Sequence, residues 1–454
     1  MHETQKSLQE LAQTIHKMVA DAKANRRIEP EEEPFWQWKV KDFQYTDGGI
    51  TQASTEGYYV TRTTWFRAWI TLEESLLEHA AFTLALRDLE RIYPAVPEMR
   101  QYLEKFARRV LSIYLYDDAD EQIRANTERI VERFLKDLAG ELVTSKAKVE
   151  VVGVGLQSNQ ISLDAGIIIR RPTKADLEKT VRTIGLSFHD PFTKPSAILD
   201  VEARVTPGNN MLIQTRVEQC VALLRLFNVG SVRYISYDMW SDSLLDFMAG
   251  GTITSGERGS ALETYVIKSD EESKLKQFWQ KLSVLLPKDI YDFQKQISHI
   301  TLAYDRYSDA LLHNGIVERR VANAVMGLEA LFLDESQELS YRLGLRISKV
   351  LSMVGKNPLG VREVIQDAYA IRSAFAHGGH LTYKAKQKLD RRYGDVKKLL
   401  HCVLDYLRLS IVIMILSRIS KEELVDLIDD ALLDSAKHQE LQSRVSDAKA
   451  LVGT

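Results

Sequence analysis

Long amphipathic segments joined by short loops fill the chain from residue 271 onwards, and they restrict the possible folds more than any other feature of the sequence. Apolar residues recur there at helical spacing, with charged residues between them. The predicted helices cover 271–286, 290–312, 318–332, 339–354, 361–377, 387–419 with a bend at Gly394, and 420–430. Short loops between such helices favour an up-down helical bundle over 271–430.

The first 139 residues are also predicted to be mainly helical. An amphipathic helix is expected over 4–26, and helices over 72–138 with an interruption at 93–97. Between them, acidic and proline-bounded residues 29–34 indicate a linker. Aromatic and glycine residues over 35–69 indicate a short irregular or hairpin element.

Between residues 140 and 270 the apolar residues no longer recur at helical spacing but alternate with polar residues, as in strands. Predicted strands cover 148–154, 160–163, 166–170, 197–205, 231–237 and 262–268, with a helix over 211–227. The predicted fold is therefore mostly α, with a helical region at 1–139, a small α+β domain at 140–270, the bundle at 271–430 and a charged helix or tail at 431–454.

Composition sets limits on partners and compartment. The 454 residues carry a formal net charge of −3, so any contact with nucleic acid must come from a local basic patch. Cys220 and Cys402 are predicted to be buried free thiols, which fits a reducing cytoplasm. No signal-peptide pattern opens the sequence, and the apolar run 407–416 is too short to span a bilayer, so we expect a cytoplasmic protein with no membrane contact.

The most informative short stretch is YAIRSAFAHGGH, residues 369–380. Arg372 stands five residues before His377, and glycines follow where a helix would stop. Arginine keeps its charge and its planar fork suits phosphate oxygens, whereas histidine exchanges protons near neutral pH. Such a pair can cut a phosphodiester without a metal. The alternative interpretation is a structural ion pair for Arg372 and a cation at a helix C-terminus for His377.

The spacing of this pair bears on the number of chains in the site. Residues five apart on a helix differ by roughly 140° around the axis and by about 7.5 Å along it. Arg372 and His377 therefore do not share a face. Either the helix end reorients His377, or a second chain completes the site in a two-fold dimer.

Three stretches in order give this region its resemblance to a known family. They are AYDRYSDALLHNGIVERRVANAVMGLEALFL at 303–333, ELSYRLGLRISKVLS at 338–352 and DAYAIRSAFAHGG at 367–379. Together they resemble the HEPN superfamily, most closely its Apea-like branch, over about residues 290–420. The resemblance implies a HEPN-type bundle, a metal-independent RNA endonuclease without cofactors, a homodimer or higher homo-oligomer, and a defence or toxin role with a regulatory or antitoxin partner.

The resemblance also implies roles for individual residues. Arg372 and His377 would be catalytic, acting on RNA whose own 2′-OH attacks the phosphorus. Supporting positions would be Glu329, Ser373, Tyr369 and His380. For Glu329 the alternative is a buried ion pair that sets helix register; for the other three it is a structural or merely exposed position.

A path for the RNA backbone is predicted along one helix, at Arg342, Arg346 and Lys349, with a solvated face as the alternative. Three functional classes remain open from the sequence. The chain would be a ribonuclease, an inactive RNA- or nucleotide-binding module that uses the same cleft, or a dimerisation domain that serves the α+β part.

Overall fold

The computed structural model describes residues 2–96, 98–117, 119–178, 194–209, 211–246, 263–290, 298–313, 315–334, 337–378 and 381–452. Its helices are α1 (His2–Ala24), α2 (Phe66–Leu77), α3 (Ala80–Ile92), α4 (Met99–Tyr116), α5 (Asp120–Leu138), α6 (Met211–Phe227), α7 (Glu272–Leu285), α8 (His299–Leu312), α9 (Val317–Phe332), α10 (Leu339–Ser352), α11 (Pro358–Ala376), α12 (Tyr383–Tyr393), α13 (Val396–Ser417), α14 (Lys421–Asp430), α15 (Ser435–Arg444) and α16 (Ser446–Val452). Its strands are β1 (Glu31–Thr46), β2 (Gly49–Thr64), β3 (Val143–Val152), β4 (Val154–Leu156), β5 (Gln160–Asp164), β6 (Ile167–Arg170), β7 (Ala197–Val205), β8 (Arg233–Ser241) and β9 (Tyr265–Ile267). The predicted fold class, mostly α with a small α+β part, is confirmed.

The N-terminal helices form a core of their own. Helix α1 packs on α3, α4 and α5, and its apolar stripe is fully buried. Leu8, Leu11 and Ile15 lie on that stripe and belong to the same cluster as Phe106 and Phe134. The helix predicted over 4–26 is therefore present, and its period-3.6 pattern identifies the face that packs.

A long β-hairpin occupies the predicted linker and most of the segment for which an irregular or hairpin element was expected. Strands β1 and β2 pair antiparallel over sixteen residues each, so the linker predicted at 29–34 is wrong. Cross-strand aromatic packing stabilises this hairpin. Trp36 stands opposite Tyr59 with ring centroids 4.5 Å apart, and its indole covers Gly57, where a Cβ would lie only 2.1 Å from the ring.

The α+β part is built on an antiparallel sheet of strand order β5-β6-β7-β3-β8. Strands β4 and β9 pair in parallel beside it. The turn of the hairpin docks here: the Tyr45 hydroxyl donates to the Ser196 carbonyl at 2.8 Å, and Gly155 lies against the Asp47 carbonyl, leaving no room for a side chain.

The sheet and the C-terminal helices share one continuous hydrophobic core. Arg408 of α13 is buried and donates from Nη1 to the Leu226 and Phe227 carbonyls at 3.0 and 2.9 Å. It thus satisfies the last carbonyls of α6, which have no partner within their own helix. The 140–270 and 271–430 regions therefore pack as one body rather than as two cores.

The C-terminal part of the chain differs from its prediction in two clear respects, and a third prediction falls partly outside the described residues. Helix α8 begins at His299, and the predicted 290–312 helix includes 291–297, which lie outside the described residues. The helix predicted over 387–419 is two helices, because Gly394 adopts φ +75° and the Asp395 side chain caps α13. The tail is not a loose extension, since Leu441, Val445 and Leu451 are buried in the main core.

Helix α13 is long and apolar enough to cross a membrane by composition alone. However, 78% of its most apolar window is buried inside the protein, so it is the central helix of the bundle. The apolar run 407–416 therefore lies within a core helix.

Candidate active site

Helix α11 carries the motif, and both of its ends follow from the sequence. The Asn357 side chain accepts a hydrogen bond from the Gly360 backbone and Pro358 occupies the first turn, a combination typical of helix starts. The helix ends at Ala376, His377 is the C-cap residue, and Gly378 adopts φ +68°, as predicted for the glycine after the motif.

Arg372 points towards the neighbouring helix α9. Its Nη2 donates to Glu329 Oε2 at 3.0 Å, and both side chains are largely buried, with exposed fractions of 26% and 16%. The Tyr369 ring lies beside the guanidinium, with 5.7 Å between Arg372 Cζ and the ring centroid. The structure thus brings together Arg372, Glu329 and Tyr369, three of the residues singled out in the sequence.

This ion pair leaves hydrogen-bonding capacity unused. Glu329 Oε1 and Arg372 Nε are both buried, and neither has a hydrogen-bond partner within the described residues. Buried polar atoms without partners are uncommon and each costs free energy. An arginine fork with one free donor and a carboxylate with one free acceptor therefore lie side by side at this end of α11.

The electrostatics of the pair reflect its burial. Burial raises the pKa of Glu329, and the nearby Arg372 guanidinium only partly offsets this shift. Burial also raises the pKa of the Tyr369 hydroxyl, to which the Glu329 charge adds. The pair is consequently a partly dehydrated charge pair, in which Coulomb interactions are stronger than in water.

His377 occupies a different environment. Its side chain is exposed at the end of α11, while Ser373, whose carbonyl accepts from the His377 backbone at 3.2 Å, is half-buried. No hydrogen bond joins Arg372 and His377 among the described residues. One chain therefore presents the arginine and the histidine as separate groups. His380 lies outside the described residues.

The predicted RNA path on α10 is not a continuous surface. Arg346 is buried, grips Asp429 with Nε and Nη2 at 2.9 and 2.7 Å, and donates from Nη1 to the Phe332 carbonyl at 2.7 Å. It is an internal tie between helices, neither an RNA contact nor a solvated residue. Arg342 and Lys349 are both half-buried. The Lys349 Nζ atom lies 2.8 Å from His438 Nδ1.

A cluster that the sequence analysis missed fixes helix α12 against α11. Asp367 of α11 is buried and accepts hydrogen bonds from Lys388, Arg392 and Tyr393 of α12, at 3.2, 2.6 and 3.0 Å. The sequence signal was an aspartate inside an apolar helix followed by a lysine- and arginine-rich segment. Helix α12 starts at Tyr383 and meets Asp367 through its second half.

Comparison of the chain with protein-family models, with curated proteins and with solved structures finds no match to any of them.

Proposed function

We propose that this protein is an endoribonuclease of the HEPN type, which cleaves RNA by attack of the 2′-OH without a metal or cofactor. The observation that carries the proposal is the largely buried Arg372–Glu329 pair, in which Arg372 Nε has no hydrogen-bond partner, five residues before an exposed histidine. A phosphate oxygen would approach the part of the Arg372 side chain that remains exposed, 26% of its surface. The fork would then neutralise charge that grows on phosphorus in the transition state.

The proposed reaction needs two proton transfers. The 2′-oxygen forms a bond to phosphorus while the bond from phosphorus to the 5′-oxygen breaks. One His377 takes the proton of the 2′-OH, and a protonated second His377 gives one to the departing 5′-oxygen. The products are a 2′,3′-cyclic phosphate and a 5′-hydroxyl. Since one chain supplies a single His377, the active form would be a homodimer.

In this proposal the remaining residues position the catalytic groups. Glu329 orients Arg372, and Ser373 and Tyr369 contribute polar contacts beside it. The cellular role would be a cytoplasmic defence or toxin effector, held in check by a regulatory partner or by the N-terminal region. The competing function is a module that binds RNA or nucleotides in the same cleft without cutting.

The test is incubation of end-labelled single-stranded RNA with the full chain in EDTA, followed by a denaturing gel and analysis of the product ends. We expect cleavage with cyclic phosphate termini, and its loss in His377→Ala. The matched control is His313→Ala, because His313 is also an exposed histidine at the end of a helix, α8. Binding of RNA without any cleavage by the wild type would favour the competing function.

A further inference from the structure

Helix α12 and the start of α13 carry a dense positive charge on a chain whose net charge is negative. Residues 383–398 contain seven lysines and arginines against two aspartates, whereas the whole chain has a formal net charge of −3. The basic residues are exposed, and they are Lys384, Lys386, Lys388, Arg391, Arg392, Lys397 and Lys398. A local excess of this size creates a positive potential that attracts polyanions.

The helical spacing sorts these charges into a stripe. Lys384, Lys388 and Arg391 stand at positions i, i+4 and i+7 of α12, so they follow one face over about 10 Å. On the opposite side Leu389 is buried, which fixes the orientation of this face towards solvent. The three basic residues therefore lie together on the solvent-facing side of α12.

The stripe is also anchored relative to the candidate active site. Lys388 and Arg392 donate to the buried Asp367, which lies on α11 five residues before Arg372. Lys384 is one turn closer to the start of α12, the end that follows His377 in the chain. Neither Lys384 nor Arg391 forms an ion pair with any residue in the described part of the chain. Their charges are thus available to a ligand.

We infer that this stripe, through Lys384 and Arg391, binds the phosphate backbone of single-stranded RNA and leads it to Arg372 and His377. The inference rests on the proposed function, because it names the surface that holds the substrate of that same site. It also replaces the path predicted on α10, where Arg346 is buried in an ion pair. Backbone contacts of this kind supply affinity that falls with salt and carries no sequence preference.

The test separates binding from cleavage by using the His377→Ala chain as the parent. Fluorescence anisotropy with a labelled single-stranded RNA, in EDTA and over a series of salt concentrations, compares the parent with Lys384→Gln/Arg391→Gln. The matched control is Lys17→Gln/Lys274→Gln, two exposed lysines that form no ion pair within the described residues and lie on α1 and α7. Both double variants lose two positive charges.

We expect the α12 variant to bind RNA more weakly than the control at every salt concentration. The slope of log affinity against log salt should fall by about 0.7 for each lost phosphate contact. Equal affinities and slopes for the two variants would overturn the inference, as would a parent that binds no RNA. A parent that binds through α12 while the wild type never cleaves would support the stripe and reject the nuclease.

Discussion

At the scale of single residues, the Arg372–Glu329 pair offers a test of whether Arg372 is a catalytic or a structural residue. If the exposed part of the guanidinium contacts a phosphate while Nη2 stays on Glu329, two N–H groups of the fork are in use at once. A lysine keeps the charge but cannot make two such contacts at once. A purely structural ion pair, in contrast, tolerates lysine.

Arg372→Lys is therefore expected to bind RNA almost normally and to cleave it far more slowly. Loss of one transition-state donor typically costs about a hundred- to a thousand-fold in rate. Single-turnover cleavage in EDTA, with RNA affinity measured in parallel, checks this. Cleavage within a few-fold of the wild-type rate would return Arg372 to a structural role.

Glu329 leads to a second prediction, which concerns how stability depends on pH. Its pKa is raised by burial, so the folded protein holds the Glu329 proton more tightly than the unfolded chain does. The contribution of this group to stability is thus greatest at low pH and is lost as pH rises through the folded-state pKa. Glutamine does not titrate, so Glu329→Gln does not lose stability in this way as pH rises.

We expect the free energy of unfolding of Glu329→Gln to gain on that of the wild type as pH rises from about 4 to about 8, across the usual carboxyl range and beyond. Urea unfolding at a series of pH values measures the difference. A constant difference across the range would show that Glu329 has the same proton affinity in the folded and unfolded chains.

The sequence predicted which residues meet at the site better than it predicted what they do there. Arg372, Glu329 and Tyr369 come together because each sits on a strongly periodic helix whose buried face is evident from its apolar residues. Arg346 and Lys349 also recur at helical spacing, but charge alone does not show whether a side chain faces solvent or a buried aspartate. The partner of Arg346, Asp429, lies 83 positions away.

At the scale of elements, the errors arose where tertiary packing outweighs local signals. Acidic residues and a proline over 31–34 are typical of a linker, yet they belong to β1 because aromatic side chains farther along pair across the hairpin. A bend was expected at Gly394, but the chain breaks there and the Asp395 side chain caps a new helix, α13. The helices α1, α6 and α9 follow their predicted ranges closely, since each has an uninterrupted apolar period.

Arg346 supplies a prediction at this scale, because it ties α10 to α14 and to the end of α9. Asp429→Ala would remove the carboxylate that accepts from Nε and Nη2 of this buried guanidinium. Removal of one partner of a buried pair typically costs 3–5 kcal/mol, and since Asp429 is 45% exposed we expect about 2–3 kcal/mol here. Urea unfolding measures the loss, and the control is Asp430→Ala, the neighbouring aspartate on α14.

The same variant separates the structural role of Arg346 from an RNA-binding role. Asp429→Ala removes a negative charge beside Arg346, so a backbone-binding Arg346 would give tighter RNA binding. The internal tie predicts lower stability with unchanged affinity. Tighter RNA binding at unchanged stability would restore the path predicted on α10.

At the scale of the whole molecule, the shared core of sheet and bundle means that the site helices are not a detachable unit. Arg408 joins α13 to the last carbonyls of α6, and apolar residues continue from one part to the other. The division at residue 270 follows the change in period but not the packing. Truncation at that point would expose the apolar face of α13, so experiments on the site require the full chain.

The last prediction concerns the assembly of two chains. Arg372 and His377 do not contact each other in one chain, and the proposed reaction needs two histidines. We therefore predict a two-fold dimer through α11, whose last turn exposes Phe375, two residues before His377, with 39% of its surface accessible. Phe375→Glu would place two negative charges against each other across the axis. Light scattering should show a dimer for the wild type at micromolar concentration and a monomer for the variant, and the variant should lose cleavage.

Leu433→Glu is the matched control, because Leu433 is 95% exposed and lies after α14. A wild-type chain that cleaves RNA as a monomer, at a rate per chain unchanged by dilution, would contradict the two-histidine mechanism and require both proton transfers to be assigned within one chain.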